Sequence, residues 1–253
     1  MRRKKCLHSN IKRKIGRHLH TEMLAPASAS IPSVDSAATP AQLRRFFYAA
    51  YCDTPAPFRW LSAIRPYVCP YDKLLPFIRD GAEVLDVGCG AGSLLTLLAA
   101  MKKIRRGVGC DVMAPPLESA RAATQRVGAQ DILTFEHVRS VAEAPEGPFD
   151  VVAMVDVLHH VPPGSRSDVI AAAAQRVKPG GIFLYKDMTA RPGGRRLAHN
   201  IDDYIFTREW VEQVPEGAVE TWAGDRRLAL VHGEFIPRLI YGHELRVFQR
   251  LEH

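Results

Sequence analysis

The sequence lacks long apolar segments. No run approaches the roughly eighteen residues that a membrane-spanning helix requires, and the longest stretches, such as residues 151–155, have the length of buried strands. The basic residues near the start are not followed by the apolar segment of a secretory signal. We therefore expect no transmembrane helix and a cytoplasmic location.

Cysteine is sparse and shows no pattern. The number of cysteines is odd, and none has the Cys-x-x-Cys spacing of a zinc or redox motif; they are Cys6, Cys52, Cys69, Cys89 and Cys110. This usage predicts a reducing compartment, with no disulfide framework and no metal site.

Acidic residues are scarce at the start of the chain. Residues 1–23 contain eight Lys or Arg and a single acid, Glu22, so the net charge of +7 belongs to them and the remaining chain is neutral. A neutral body argues against a broad nucleic-acid footprint. The basic segment is open to three interpretations: a solvated arm, a chain that really starts at Met23, or a contact with nucleic acid or anionic lipid. Residues 24–40 are rich in Ala, Ser and Pro, so we expect a disordered arm and linker over residues 1–40.

The rest of the chain shows alternating patterns. Amphipathic helices are predicted at 41–52 and 57–67, and a third helix around 71–78 completes a helical cover over residues 41–80. Short β-branched runs then alternate with helical segments, which is typical of βαβ units in a parallel sheet. The runs are 83–87, 107–111, 132–137, 151–156 and 182–186, and the segments between them are 93–103, 115–127, a short stretch near Val141, and 165–177.

The C-terminal part departs from this alternation. Residues 190–216 resemble a helical insertion, and the strand-like runs 227–232 and 244–250 are compatible with an antiparallel edge. The predicted fold is therefore α/β: one domain over residues 41–253, with a Rossmann-like, doubly wound, mostly parallel seven-stranded sheet, an antiparallel C-terminal edge and N-terminal helices.

The strongest local signal is a glycine loop, Val-Leu-Asp-Val-Gly-Cys-Gly-Ala-Gly over residues 84–92, between a predicted strand and a predicted helix. Such glycines allow a ligand to approach the backbone closely. Asp86 would repel the pyrophosphate of a dinucleotide at the helix N-terminus and would favour a ligand with a cationic amino group. Asp111, which ends the next strand, is placed to accept hydrogen bonds from ribose hydroxyls or to cap the following helix.

These residues carry a family resemblance. With Phe-Asp-Val-Val at 149–152, Asp-Val-Leu-His-His-Val at 156–161 and Val-Lys-Pro-Gly-Gly at 177–181, the sequence over residues 70–188 resembles the small-molecule type of class I S-adenosylmethionine-dependent methyltransferases. The resemblance implies S-adenosyl-L-methionine as cofactor.

The resemblance also implies roles for individual positions. The methionine moiety would lie along the glycine loop, Asp111 would bind the ribose, and Val112 and Met113 would pack on the adenine. The family usually has an Asp near the adenine amine, where this sequence has Arg139 or Ser140, so backbone groups of Ser140 and Val141 would have to make that contact. The implied loop contacts are Asp86, Gly88, Cys89, Gly90 and Gly92.

Candidate catalytic residues follow the fourth predicted strand, at the sheet edge where such folds bind ligands. Asp156 would face the methyl group or the methionine end of the cofactor, and His160 would act as a base or orient the acceptor, because a neutral imidazole is available near pH 7. His159 is a second candidate, or a packed loop residue. Lys186 and Asp187, at the end of the fifth strand, would either touch the acceptor or form a mutual ion pair.

The function indicated is methyl transfer to a small-molecule or lipid-like acceptor. Two alternatives stay open: a nucleic-acid methyltransferase that uses the basic arm, and a non-catalytic module that binds the cofactor. A nicotinamide-dependent oxidoreductase is disfavoured, because no Tyr-x-x-x-Lys arrangement is evident and Asp86 would face its pyrophosphate.

Overall fold

The computed structural model of the protein describes residues 30–188, 212–238 and 241–252. The predicted basic arm and most of the predicted insertion at 190–216 lie outside these residues. From Pro32 onwards the described residues belong to one compact unit.

The unit is built on a seven-stranded sheet in the order β3-β2-β1-β4-β5-β7-β6. The first five strands in sequence are parallel, and β7 is antiparallel to both of its neighbours, β5 and β6. This confirms the predicted fold class. The strands are β1 (Ala82–Val87), β2 (Ile104–Asp111), β3 (Leu133–His137), β4 (Phe149–Val155), β5 (Val177–Met188), β6 (Leu228–Arg238) and β7 (Tyr241–Arg250).

Seven α-helices accompany the sheet in the described residues. The first begins with a capping box, in which Thr39 and Gln42 satisfy each other's backbone amides. The helices are α1 (Pro40–Ala50), α2 (Ala56–Val68), α3 (Tyr71–Leu74), α4 (Ser93–Ala100), α5 (Ala114–Val127), α6 (Arg166–Gln175) and α7 (Ala218–Gly224). In the described part of the chain, no helix has both the length and the apolar character to cross a membrane.

Several elements differ from expectation in their bounds: β2 begins earlier, at Ile104, and β6 extends to Arg238. Two elements differ further. The Lys-Pro-Gly-Gly segment, which precedes the predicted run 182–186, lies within β5 as an irregularity: Val177 pairs with Phe149, but the next partner of β4 is Ile182, opposite Val151. Helix α7 was not predicted, because it has only two turns and its buried residues Val219 and Ala223 form one i, i+4 pair, too short a signal for a helical period.

The topology places the candidate site. Strand β4 is buried along its whole length, as its continuous apolar sequence indicates. Because β1 is flanked by β2 on one side and β4 on the other, the chain order reverses between β1 and β4, and ligands of such sheets bind at the carboxyl ends of the strands beside this point.

Candidate active site

The loop after β1 turns tightly at the carboxyl edge. The amides of Gly88 and Cys89 both donate to the carbonyl of Cys110 at the end of β2, at 2.8 and 3.1 Å. A Cβ at Gly88 would lie 2.6 Å from a methyl group of Val157, so the loops after β1 and β4 are in contact. Gly90 has φ +53°, and a Cβ there would meet nothing within 4 Å. The loop therefore offers backbone next to open space at Gly90.

A neighbouring pair of glycines makes room for an aromatic ring. A Cβ at Gly92 or at Gly109 would approach the Phe135 ring to 2.7 Å. The Gly109 position would also be 2.7 Å from the Cys89 sulfur. The Cys89 sulfur therefore lies against β2, while the residue stays partly exposed beside the loop.

Asp86 is a buried acid at the carboxyl end of β1, with 3% of its surface exposed. Burial raises the pKa of its carboxyl group to about 7; the positive charge of Arg65 counteracts part of this rise and the charge of Asp111 adds to it. A carboxylate buried this deeply is strongly stabilised by a nearby cation.

Asp111 ends β2 beside the glycine loop. One carboxylate oxygen accepts the amide of Gly90 and the other accepts the amide of Met113, both at 2.8 Å. Each oxygen keeps a second lone pair, so the carboxylate can still accept two ribose hydroxyls. Val112 and Met113 follow directly and are 56% and 59% exposed, which leaves an apolar surface next to this acid.

The segment after β3 lies beside that surface. His137 contacts the Val112 carbonyl through its Nε2 at 3.1 Å. Arg139 is occupied by Glu143, with which it forms an ion pair, while Ser140 is exposed. Val141 is partly buried and packs against the hydrophobic core.

Asp156 lies immediately after β4 and is held from two elements. Its Oδ1 is 2.5 Å from the Lys186 ammonium of β5, and its Oδ2 is 3.4 Å from the Arg65 guanidinium of α2. Its backbone is left-handed, with φ +59°, a conformation that costs about 1 kcal/mol or more outside glycine and persists only where the surroundings impose it. Burial alone would raise the pKa of Asp156, but Lys186 and Arg65 outweigh burial and lower it. Asp156 is therefore a fixed anion.

Lys186 and Asp187 do not form the mutual ion pair considered from the sequence. Successive residues of a strand point to opposite faces, so Lys186 reaches Asp156 while Asp187 reaches His159. Both side chains are fully buried rather than on a rim. Asp187 also accepts the amides of Leu158 and His159 at 2.9 and 3.2 Å.

This arrangement argues against direct catalysis by His159. Its side chain is 1% exposed, and its Nδ1 is bound to Asp187. His160 differs: it is exposed, and its ring lies against that of His159, tilted by 45°, with the centroids 4.0 Å apart. The atoms packed around the imidazole disfavour its charged form, and together with His159 they lower the pKa of His160 to about 4. His160 is thus a neutral, accessible imidazole at pH 7.

The sequence did not reveal two residues at this edge. Tyr51, at the C-terminal end of α1, is fully buried and donates its hydroxyl to the Ala91 carbonyl in the glycine loop at 2.6 Å. Arg65 comes from α2 to Asp156. The helical cover therefore contacts the loops after both β1 and β4. The only sequence signal was the presence of polar groups in otherwise apolar helix faces.

The cofactor expected from the sequence fits these features. Asp86 provides a buried anion for a cationic amino group, Gly90 provides open backbone, and Asp111 next to Met113 provides ribose acceptors beside an apolar surface. The site therefore has the chemistry that S-adenosylmethionine requires.

Comparisons with known proteins agree with the geometry. A family model described as a methyltransferase domain matches residues 62–232. The chain is 35% identical over 211 residues to a ubiquinone biosynthesis O-methyltransferase of Paracidovorax citrulli, covering 79% of this chain and 84% of that protein. It is 33% identical over 188 residues to the protein of the same name from Aliivibrio fischeri, covering 70% and 73%.

Solved structures share the fold. An O-methyltransferase family protein from Burkholderia thailandensis superposes with a TM-score of 0.59 at 22% identity, covering 96% of this chain and 70% of that one. The magnesium protoporphyrin IX methyltransferase of Synechocystis, solved with bound SAH, gives a TM-score of 0.55 at 21% identity, covering 83% and 85%. By sequence family and by fold, the chain belongs to the class I S-adenosylmethionine-dependent methyltransferases.

Proposed function

We propose that the chain methylates an oxygen atom of a small, lipid-like acceptor and that His160 accepts the proton of the acceptor hydroxyl. The observation that carries this proposal is the position of the exposed His160 imidazole, three residues after the loop residue Val157 that lies against Gly88. Burial and His159 lower its pKa, which keeps the imidazole neutral. The named activity of the relatives in ubiquinone biosynthesis supports oxygen as the acceptor atom and a lipid-like acceptor.

We assign cofactor binding to the residues around the glycine loop and the end of β2. Asp86 would hold the cationic amino group, the backbone of the loop would line the methionine moiety, and Asp111 would bind the ribose. Val112 and Met113 would support the adenine, whose amino group would meet the backbone of Ser140 or Val141. The loop residues in this proposal are Gly88, Cys89, Gly90 and Gly92.

When bound, the cofactor supplies an electrophilic methyl group on a sulfonium, whose sulfur leaves as a neutral thioether. The protein therefore has to align the acceptor and remove its proton. Asp156 is not suited to take that proton, because Lys186 and Arg65 hold it as a carboxylate. We assign it to positioning at the methionine end. His160 accepts the proton from the acceptor oxygen and, being exposed, returns it to water.

The acid–base assignment predicts a pH profile. Because the pKa of His160 lies at about 4, the imidazole is unprotonated throughout the physiological range and loses its capacity as a base only in acid.

The free cysteines among the described residues, at positions 52, 69, 89 and 110, fit the reducing conditions of the cytoplasm, which we propose as the location.

The first experiment supplies labelled S-adenosylmethionine to the full chain together with an extract of the source cells, followed by separation into lipid, small-molecule and nucleic-acid fractions. We expect label in the lipid or small-molecule fraction. Label in nucleic acid would contradict the proposed acceptor. Cofactor binding without label in any fraction would indicate a binding module instead of an enzyme.

The second experiment compares His160→Gln with His232→Gln, a change at a half-exposed histidine on β6. With the labelled product as readout, loss of a general base should lower kcat by about a hundredfold or more, while the cofactor Kd stays the same. His232→Gln should leave both unchanged. If His160→Gln alters the cofactor Kd and not kcat, the histidine is not the base.

A further inference from the structure

Positive charge is concentrated at one end of the chain. Residues 1–68 contain twelve Lys or Arg and three acids, whereas residues 69–253 contain 22 basic and 24 acidic residues. Part of this excess lies in the described helices: over residues 40–68, α1, α2 and their connection carry four arginines and one acid, Asp53. Helices α1 and α2 therefore carry a net positive charge on an otherwise balanced domain.

The same surface exposes large apolar side chains. Trp60, Leu61 and Ile64 of α2 are 41%, 38% and 43% exposed. Because residues three and four apart are neighbours on a helix, they form one stripe along α2. An exposed Trp with two aliphatic residues on one helix face exceeds the isolated exposed residues that are normal for a protein surface.

Arginines border this stripe. The Trp60 ring lies 6.3 Å from the Tyr48 ring of α1, and the Arg59 guanidinium lies 3.9 Å above that Tyr48 ring. Arg44 and Arg45 precede Tyr48 by four and three residues, so all three lie on neighbouring positions of the α1 surface. We call the surface formed by Arg44, Arg45, Tyr48, Arg59, Trp60, Leu61 and Ile64 the α1–α2 face.

We propose that the α1–α2 face docks the protein on an anionic lipid bilayer. Trp and aliphatic side chains beside arginines are the composition of helices that lie at a membrane interface, where the apolar groups enter the acyl boundary and the cations meet the lipid phosphates. A nucleic-acid surface would use the arginines equally well, but it gives no favourable place to Leu61 and Ile64. The apolar stripe therefore favours lipid over nucleic acid.

The position of the face relates it to the site. Leu61 lies one helical turn before Arg65, which contacts Asp156, so the stripe adjoins the sheet edge where methyl transfer is proposed. If the acceptor is lipid-like, a consequence that rests on the proposed function, docking would bring the site to the membrane in which the acceptor is dissolved. The docking itself does not depend on the identity of the acceptor.

The test is co-sedimentation of the full chain with two kinds of vesicle, one of phosphatidylcholine alone and one with an equal part of phosphatidylglycerol. We expect binding to the anionic vesicles and at least tenfold weaker partitioning to the neutral ones. The double change Trp60→Ser with Ile64→Ser should reduce partitioning to anionic vesicles by at least tenfold, since it removes two interfacial apolar side chains. Cofactor affinity should stay as in the unmodified chain, and loss of the Trp60–Tyr48 ring contact should lower Tm by only a few degrees.

The matched control is Leu230→Ser with Val231→Ser, which removes two side chains of β6 that are 48% and 53% exposed and lie outside the face. This control should bind vesicles normally. Equal partitioning of both double variants would overturn the proposal. The proposal would also be overturned if deletion of residues 1–23 abolished vesicle binding while the Trp60 and Ile64 changes had no effect. A third contrary result is that total RNA competes fully with vesicles and that RNA binding is unaffected by the Trp60 and Ile64 changes. Because vesicle binding is measured without turnover, its failure is distinct from failure of the methyl-transfer assay.

Discussion

Asp86→Asn should make the protein more stable and less able to bind its cofactor. Burial raises the pKa of Asp86 from 3.8 to about 7. Because the pKa is raised in the folded state, Asp86 contributes most favourably to the free energy of unfolding below pH 4. This contribution is lost as the pH rises through 7. At pH 8 the folded protein therefore holds an unfavourable buried charge, which Asn removes.

The size of the effect follows from the same two values. At about 1.4 kcal/mol per pH unit, the interval from 3.8 to about 7 is worth roughly 4 kcal/mol. The Asn amide still needs buried hydrogen-bond partners, so we expect about half of this, roughly 2 kcal/mol. For a chain of this size that is a rise in Tm of about 4–8 °C at pH 8. At pH 4 the acid is protonated in the folded state, and the difference should nearly vanish.

The assay is calorimetric unfolding at pH 8 and pH 4, together with titration of S-adenosylmethionine at pH 8. We expect the affinity of the variant to fall by at least tenfold, because the neutral amide cannot pair with the cofactor's ammonium group. In the unmodified chain the affinity should also decline by up to tenfold per pH unit below 7, as the carboxylate takes up a proton.

Asp150→Asn is the matched control, since Asp150 is a buried acid at the amino end of β4. Burial alone would raise its pKa, but Lys178, the Glu83 amide and Arg79 outweigh burial and lower it. Its loss should destabilise the protein by about 1–2 kcal/mol at pH 8 without changing cofactor affinity. If Asp86→Asn lowers the Tm at pH 8 as Asp150→Asn does, the account of Asp86 as a strained anion is refuted.

Three further substitutions test the contacts of the site. Arg65→Gln should weaken cofactor binding by up to about fivefold, because Asp156 loses a partner worth about 1 kcal/mol and Asp86 loses a charge that favours its ionised form. Arg79→Gln, at the far end of β4, should leave the affinity measured by calorimetric titration unchanged. Tyr51→Phe should lower the free energy of unfolding by about 1 kcal/mol, since the Ala91 carbonyl loses its donor, and an unchanged value would mean that water replaces the hydroxyl. Gly90→Val should abolish cofactor binding in the same titration, because a β-branched residue is strained at φ +53° and fills the open space; retained binding would show that the space is not used.

The strands of the sheet could be predicted from the sequence because each gives a local signal. The continuous apolar run of β4 and the glycine loop after β1 each lie within ten residues, and both are where the sequence predicts them. The general rules for βαβ units predicted a mostly parallel sheet with an antiparallel C-terminal edge, but not the order of its strands. Helix α7 and the irregular start of β5 were not predicted, and β2 and β6 are longer than predicted.

The polar contacts of the site were less predictable, because they join distant parts of the chain. Arg65 and Asp156 are 91 residues apart, and Tyr51 and Ala91 are 40 apart; no spacing rule relates such pairs. Lys186 shows a different limit. Strand alternation places Asp187 on the opposite face, so an ion pair between Lys186 and Asp187 could have been excluded from the sequence. Identifying Asp156 as the true partner required the position of the loop after β4.

The ring of Phe135 has an evolutionary consequence. The ring occupies the space that a side chain at Gly92 or at Gly109 would need. At Gly109 the Cys89 sulfur occupies part of the same space. Gly109 has an ordinary backbone conformation, unlike Gly92 with φ +72°. Homologous sequences should therefore show coupled variation, with Ala at position 109 only where positions 89 and 135 both carry smaller residues, while position 92 stays glycine in either background.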